Sequence, residues 1–252
     1  MTDFHIHIGQ YKEVYYKPVD ILQIVTEAGV GRVMYSSTTS CRDDVHYKEV
    51  KREITEVIAH YPSDSITPYL WYIPSYIDEG LSAENAFQDL PYGGIKLHPR
   101  VNHWGLRERK HIDCLHELFG YANDHNLPIL IHTGVDSFER PAFFKEFFAP
   151  HPNARVILAH CRPVADTLEM FRQYPNVYGD TAFLPEMDFR HICKAGYANR
   201  LLPGTDFPIT HYFRENTALT LKEQYTNDVN SAVMVNCQRT PSEAASKYSK
   251  YP

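Results

Sequence analysis

Eight short apolar runs alternate with eight amphipathic stretches along the 252 residues of this chain, and few folds accommodate that alternation. The runs are DFHIHI (3–8), GRVMYSST (31–38), ITPYLWYIP (66–74), GGIKLHP (93–99), PILIHTG (128–134), ARVILAHC (154–161), NVYGDTA (176–182) and RLLPGTDFP (200–208). Their shortness and their content of Val, Ile, Thr and Tyr predict strands. Helical periodicity occupies 18–28, 43–60, 81–90, 110–126, 139–149, 163–173, 185–198 and 212–225, with one more helix expected over 228–238. Pro18 and Pro163 suit first-turn positions, and Ser82 suits a helix cap. The segment YKEVYYK (11–17) reads as a loop with surface tyrosines, and SEAASKYSKYP, within the last ~12 residues, as a frayed tail. Strand–helix alternation builds parallel βαβ units, in an open doubly wound sheet or a closed barrel. The length matches the ~250 residues usual for the barrel. No linker or shift of composition divides the chain. The expected fold is therefore α/β, a single-domain (β/α)8 TIM barrel over residues 1–252.

Composition narrows the function classes. With 43% hydrophobic and 22% charged residues, the chain has the balance of a soluble globular protein with a sizeable core. A net charge of −6 argues against a nucleic-acid binder, which carries a basic stripe. No run approaches the ~18 apolar residues of a membrane span, and the N-terminus lacks the basic and apolar regions of an export signal. Five scattered cysteines without a CxxC pair fit reduced thiols in the cytoplasm. Fourteen histidines are the compositional oddity, and histidine is the commonest metal ligand.

Successive side chains of a strand alternate faces, so His5 and His7 share one face opposite Phe4, Ile6 and Ile8. Lys96 and His98 oppose Ile95 and Leu97, His132 opposes Ile129 and Ile131, and His160 is read opposite Ile157 and Ala159. Asp206 lies at the exit of the eighth run. A barrel interior is filled by Val, Ile and Leu, whereas its C-terminal mouth carries the chemistry. Each residue alone has a plainer role, as a satisfied core histidine or as an Asx turn before Phe207–Pro208. In common register they form a donor set. Same-face neighbours on a strand lie ~6.6–7 Å apart, so two imidazoles can converge on one ion at ~2.0–2.1 Å from each nitrogen. A third histidine and a carboxylate complete a site suited to zinc, or to manganese or iron. His5, His7, His132 and Asp206 supply that set. Cys161 is read as outward and buried rather than as a nucleophile, and His103–Trp104 as lid packing.

At DFHIHIG, GIKLHP, PILIHTG, VILAHC and GTDFP the chain resembles the amidohydrolase superfamily of metal-dependent barrels. It is most similar to the amidohydrolase-related branch that holds lactone hydrolases and decarboxylases of the aminocarboxymuconate-semialdehyde type. The resemblance implies one divalent ion on His5, His7, His132 and Asp206, with His160 nearby as a polarising or proton-transferring group. It also implies that Lys96, where binuclear relatives carry a carboxylated lysine, stays an amine.

The expected activity is metal-dependent hydrolysis of a small carboxylate-bearing lactone, ester or amide by a metal-activated water. Asp206 would move the proton, and His160 would hydrogen-bond the carbonyl oxygen or the water, where charge develops. Lys96, His98, Arg100 and Arg162 are the candidates for holding an anionic substrate. Nonoxidative decarboxylation of a small unsaturated or aromatic acid is the rival enzyme reading. A non-catalytic metal- or ligand-binding barrel is the rival of another class. The expected partner is a small molecule, with neither nucleic acid nor membrane, and a homo-oligomer is compatible with the sequence.

Overall fold

The computed structural model describes residues 1–61, 64–105, 108–214 and 218–240. Its strands are β1 (Thr2–Tyr11), β2 (Val14–Tyr16), β3 (Arg32–Ser37), β4 (Ile66–Trp71), β5 (Gly94–Leu97), β6 (Pro128–His132), β7 (Arg155–Ala159), β8 (Val177–Asp180) and β9 (Leu201–Leu202). They form one sheet in the order β2-β1-β3-β4-β5-β6-β7-β8-β9. Every pairing is parallel except the β1–β2 hairpin. Eight parallel strands therefore remain once β2 is set aside, and the chain after β9 closes them. Phe4 N donates to Pro203 O (2.8 Å), Asp206 N to His5 O (2.7 Å) and His7 N to Phe207 O (2.7 Å). The fold is the (β/α)8 barrel that the alternation predicts.

Two hydrophobic clusters fill the two sides of this wall. Phe4, Met34, Tyr69, Leu130, Ile157, Ala159, Tyr178 and Leu202 come from strands alone and fill the barrel. Ile6, Ile8, Ile95, Leu97, Ile129, Ile131, Val156 and Leu158 face outward, where helices such as Tyr47–His60 and Arg109–Asp124 cover them. Two expected alternations are corrected here. A register shift between Asp3 and Ile6 turns Phe4 inward, away from Ile6 and Ile8. Ile157 and Ala159 also face inward, so strict alternation would put His160 outside. A left-handed backbone at His160 (φ 69°) turns it to the site instead.

Other differences have local causes. The segment 11–17 is a hairpin rather than a loop: Tyr11 pairs with Val14, and Tyr16 is buried while Tyr15 is exposed. The helix expected over 212–225 is broken into Ile209–Phe213 and Leu221–Val229. Thr220 starts the second piece with a capping box, accepting from Glu223 N while donating to the Glu223 carboxylate. Pro141 begins a new turn inside the expected helix 139–149, leaving short pieces at Ser137–Glu139, Pro141–Phe144 and Lys145–Phe148. The helix expected over 228–238 forms as Ala232–Arg239. The tail expected at SEAASKYSKYP lies outside the described residues. Among the described residues no helix is long and apolar enough to cross a membrane.

Candidate active site

Barrel closure and site assembly are one event. The bonds that tie residues 203–207 to β1 carry Asp206 to the face where His5 and His7 emerge. His7 Nε2 lies 2.8 Å from Asp206 Oδ1, His5 Nε2 lies 3.4 Å from the same oxygen, and the two Nε2 atoms are 3.2 Å apart. Two ligands ~2.1 Å from one ion at a tetrahedral angle are themselves about 3.4 Å apart, so these three atoms have the spacing of a ligand set. All three residues are buried. Burial lowers the histidines' basicity, so at neutral pH each offers a lone pair. Burial pushes the Asp206 acid up, but His5, His7 and His160 overcome it and hold the carboxyl below the usual range. Two neutral imidazoles and an ionised carboxylate are the donors a borderline divalent ion takes.

The far side of each ring is also held. His5 Nδ1 lies 2.7 Å from Asp180 Oδ2, and the Asp180 Oδ1 accepts from His160 N (2.8 Å) and Ala182 N (3.1 Å). His7 Nδ1 lies 3.0 Å from Ser36 Oγ and 3.3 Å from Ser36 O. Beneath them Asp3 accepts from His5 N (3.2 Å), Thr205 N (3.1 Å), Thr205 Oγ1 (2.7 Å) and Tyr225 Oη (3.0 Å). Burial still raises Asp3 to about 7. Asp206 shares with His160 a left-handed backbone (φ 61°), a conformation that costs a non-glycine residue about 1–3 kcal/mol and concentrates at functional sites.

His132 stands beside this trio rather than within it. Its Nδ1 is 3.1 Å from His160 Nε2, and its Nε2 is 3.5 Å from Glu139 Oε1. His160 Nε2 in turn lies 3.8 Å from Asp206 Oδ2, so His160 links the two parts. Burial lowers His160 to about 4. Lys96 sits deeper than a strand-exit position: its Nζ donates to His5 Nε2 at 3.1 Å and lies 5.5 Å from the Trp71 ring. Burial lowers its basicity, an effect that Asp206 and Asp180 oppose. His98 is sandwiched between Trp71 (5.8 Å) and His132 (3.8 Å). These groups line a cavity of about 690 Å³, with Arg162, Phe183, Tyr11 and Phe213 around its mouth. Arg162 lies 5.8 Å from the Phe183 ring and donates to Phe183 O (3.0 Å). Arg100 reaches the mouth from outside, is 63% exposed and pairs with Asp136 at 3.3 Å.

Asp180, Glu139 and Ser36 escape a reading of the sequence alone. Asp180 is foreshadowed by its place in the strand-like run NVYGDTA, but a lone aspartate at a strand end is equally a turn former. Glu139 carries no signal in its neighbourhood. Cys161 is fully buried and its thiol meets Asp180 O (3.3 Å).

Residues 3–235 match the sequence family described as amidohydrolase. Three solved structures share the fold across nearly the whole of both chains. A probable 2-pyrone-4,6-dicarboxylic acid hydrolase from Acinetobacter baumannii, with citric acid bound, aligns with TM-score 0.62 at 11% identity, over 98% of this chain and 97% of that one. The apo form of Metarhizium anisopliae IDCase aligns with TM-score 0.62 at 12% identity, over 98% and 96%. An amidohydrolase from Burkholderia multivorans with bound zinc aligns with TM-score 0.57 at 13% identity, over 98% of each chain. No curated protein is significantly similar to this chain in sequence.

Proposed function

The chain belongs to the amidohydrolase family, and from that premise we propose that it is a metal-dependent hydrolase of a small anionic lactone, ester or amide. The observation that carries this reading is the convergence of His5 Nε2, His7 Nε2 and Asp206 Oδ1 within 3.4 Å of one another beside a cavity that Lys96, Arg100, Arg162 and several aromatic rings also line. His132 completes the ligand set through Nδ1. Zinc is the first choice of metal, in line with the zinc bound by the related Burkholderia structure. When bound, a divalent ion polarises a carbonyl and brings the acidity of water to near neutrality.

The remaining work falls to the chain. Asp206 Oδ2, the oxygen on the His160 side, takes the proton of the attacking water as the new carbon–oxygen bond forms. It returns that proton to the leaving oxygen or nitrogen as the old bond breaks. His160 donates through Nδ1 to Ala182 O (3.0 Å), so its Nε2 accepts a hydrogen bond from the attacking water and orients it. Lys96 and Arg162 hold the substrate carboxylate, Arg100 draws anions to the mouth, and His98 with Trp71 forms a flat wall. Citric acid in the Acinetobacter structure shows that a related barrel accepts a small polycarboxylate.

The test combines elemental analysis with turnover of carboxylated lactones and esters in 18O-labelled water. We expect bound divalent metal that His7→Ala strips, label incorporated into product, and a sharply raised KM for acids in Lys96→Met. Protein that never binds metal overturns the reading. Carbon dioxide release without label incorporation replaces it by decarboxylation.

A further inference from the structure

The hairpin between β1 and β2 takes no part in the chemistry above, yet its tip lines the cavity. Lys12 and Glu13 make the two-residue turn between the paired Tyr11 and Val14. Lys12 stands in the left-handed region (φ 50°), where glycine or asparagine is the ordinary choice. A long cation there serves something other than the turn. Its Nζ lies 5.2 Å from the centroid of the Tyr212 ring, 5.8 Å from Tyr11 and 5.9 Å from Phe213. The rings brace one another: Tyr11 meets Tyr212 edge to face at 5.0 Å, and Tyr212 meets Phe213 at 5.5 Å. Tyr11 ends the strand that carries His5 and His7, and the other two rings end the helix Ile209–Phe213 that follows Asp206.

Three aromatic faces attract an ammonium and hold it in place, but they offer its N–H groups no oxygen acceptor. Among the described residues Lys12 Nζ forms neither a hydrogen bond nor an ion pair. The adjoining Glu13 accepts from Tyr212 Oη (2.9 Å) instead. Other acids of the cavity wall are engaged elsewhere, Asp136 with Arg100 (3.3 Å) and Asp206 with His7 (2.8 Å). Phe213 continues the run of rings to Phe183 (6.3 Å), beside which Arg162 lies at 5.8 Å. Arg162 likewise has no carboxylate partner among the described residues. Two cations are thus held along one aromatic rim, each without a counter-charge.

Lys96, by contrast, lies at the floor, 3.1 Å from His5 Nε2. We propose that Lys12 is a specificity-determining residue: it forms a second anion site at the mouth, and the acid this barrel takes carries a second carboxylate at the end remote from the floor. The first carboxylate rests on the reading given under the proposed function, whereas the second rests on the hairpin and its rings. A hydroxyl at that end would satisfy the N–H groups of Lys12 but leave the charge of the rim unmatched. An anion answers both.

The experiment is calorimetric titration of the purified protein, at low salt, with rigid diacids of increasing span. Isophthalate, terephthalate and naphthalene-2,6-dicarboxylate are each compared with their monomethyl ester. Diacid and ester differ by one charge, so the ratio of their affinities isolates the second anion site. Wild type should prefer at least one diacid by about 3–10-fold, between the worth of an exposed ion pair and that of a charge-assisted hydrogen bond. Lys12→Met should remove most of that preference and Lys12→Arg should retain it. Tyr212→Leu, which keeps the charge but opens the cage, should lose part of it, and added salt should shrink it. No preference for any diacid in the wild type overturns the proposal. So does a preference that Lys12→Met leaves intact. Turnover separates this outcome from the hydrolase reading. Protein that hydrolyses no lactone or ester, but loses its diacid preference in Lys12→Met, upholds the mouth site and refutes the hydrolase. Hydrolysis with a diacid preference indifferent to Lys12 does the reverse.

Discussion

Replacing Asp180 by Asn tests whether the buried acids dictate which histidine nitrogens face the site. Asp180 spends one oxygen on the backbone N–H groups of His160 (2.8 Å) and Ala182 (3.1 Å), and the other on His5 Nδ1 (2.7 Å). Asn has one acceptor oxygen, so it must choose. Turning that oxygen to His5 would set its NH2 against two buried backbone donors, at about 1–3 kcal/mol for each donor left unmet. Keeping the oxygen on the backbone is the cheaper arrangement, and it aims the NH2 at His5 Nδ1. His5 then accepts at Nδ1 and carries its proton on Nε2, the atom 3.2 Å from His7 Nε2 and 3.4 Å from Asp206 Oδ1. A metal must displace that proton or reverse the tautomer. Loss of such an orienting partner weakens metal binding ~10–100-fold, about 1.4–2.7 kcal/mol. Zinc competition on Asp180→Asn, with urea unfolding to show that the barrel survives, reads the effect directly. Zinc affinity within about twofold of wild type would refute the reasoning, because the outer oxygen would then not govern His5.

Two further outcomes follow from the same geometry. His160→Asn should hold metal at the wild-type level while turnover falls ~10²–10⁴-fold, as for loss of a proton-handling group; metal loss, measured by elemental analysis, would make His160 a ligand instead. Gly9→Ala should destabilise the protein by about 2–4 kcal/mol in urea unfolding, from strain plus overpacking. Gly9 has φ +86°, and a Cβ there would lie 2.6 Å from Ser37 Oγ and Thr39 Oγ1 and 2.8 Å from the Glu53 carboxylate; a loss under about 1 kcal/mol would show that this pocket yields.

What the sequence revealed and what it hid divide along physical lines. The strands were legible because a barrel wall buries both faces, leaving short apolar runs that helical stretches separate. His5, His7, Lys96 and His132 were legible because strand alternation applies up to the strand end. His160 was found for its position but with the wrong reason: Ile157 and Ala159 face inward, and the left-handed turn at residue 160 alone brings the ring to the site. Such a turn leaves no mark in a period-two pattern when the residue is not glycine. The break near residue 220 was missed because Thr-x-x-Glu is a common string, and its capping role shows only in the bonds it makes. Asp180 and Glu139 were hidden for a different reason. Asp180 meets His5 from 175 residues away in the chain and Glu139 approaches His132 from 7, and neither separation has a sequence signature.

These outer acids explain why so many buried histidines can share one floor. His5, His7, His98, His132 and His160 stand together with Lys96, and six protonated groups there would repel strongly. Burial lowers the basicity of all six, which removes most of that charge. Neutral rings then need their single protons assigned, since a proton on the wrong nitrogen blocks a ligand position as surely as a substitution would. Asp180 makes that assignment for His5, and the Ser36 oxygens are placed to make it for His7. Because Asp206 reaches the same floor only through the backbone bonds that close the barrel on β1, an opened barrel loses the carboxylate before it loses the rings. On the function proposed above, the capacity to hold an ion is a property of the closed wall and its outer acids together, and not of the HxH pair that first draws the eye.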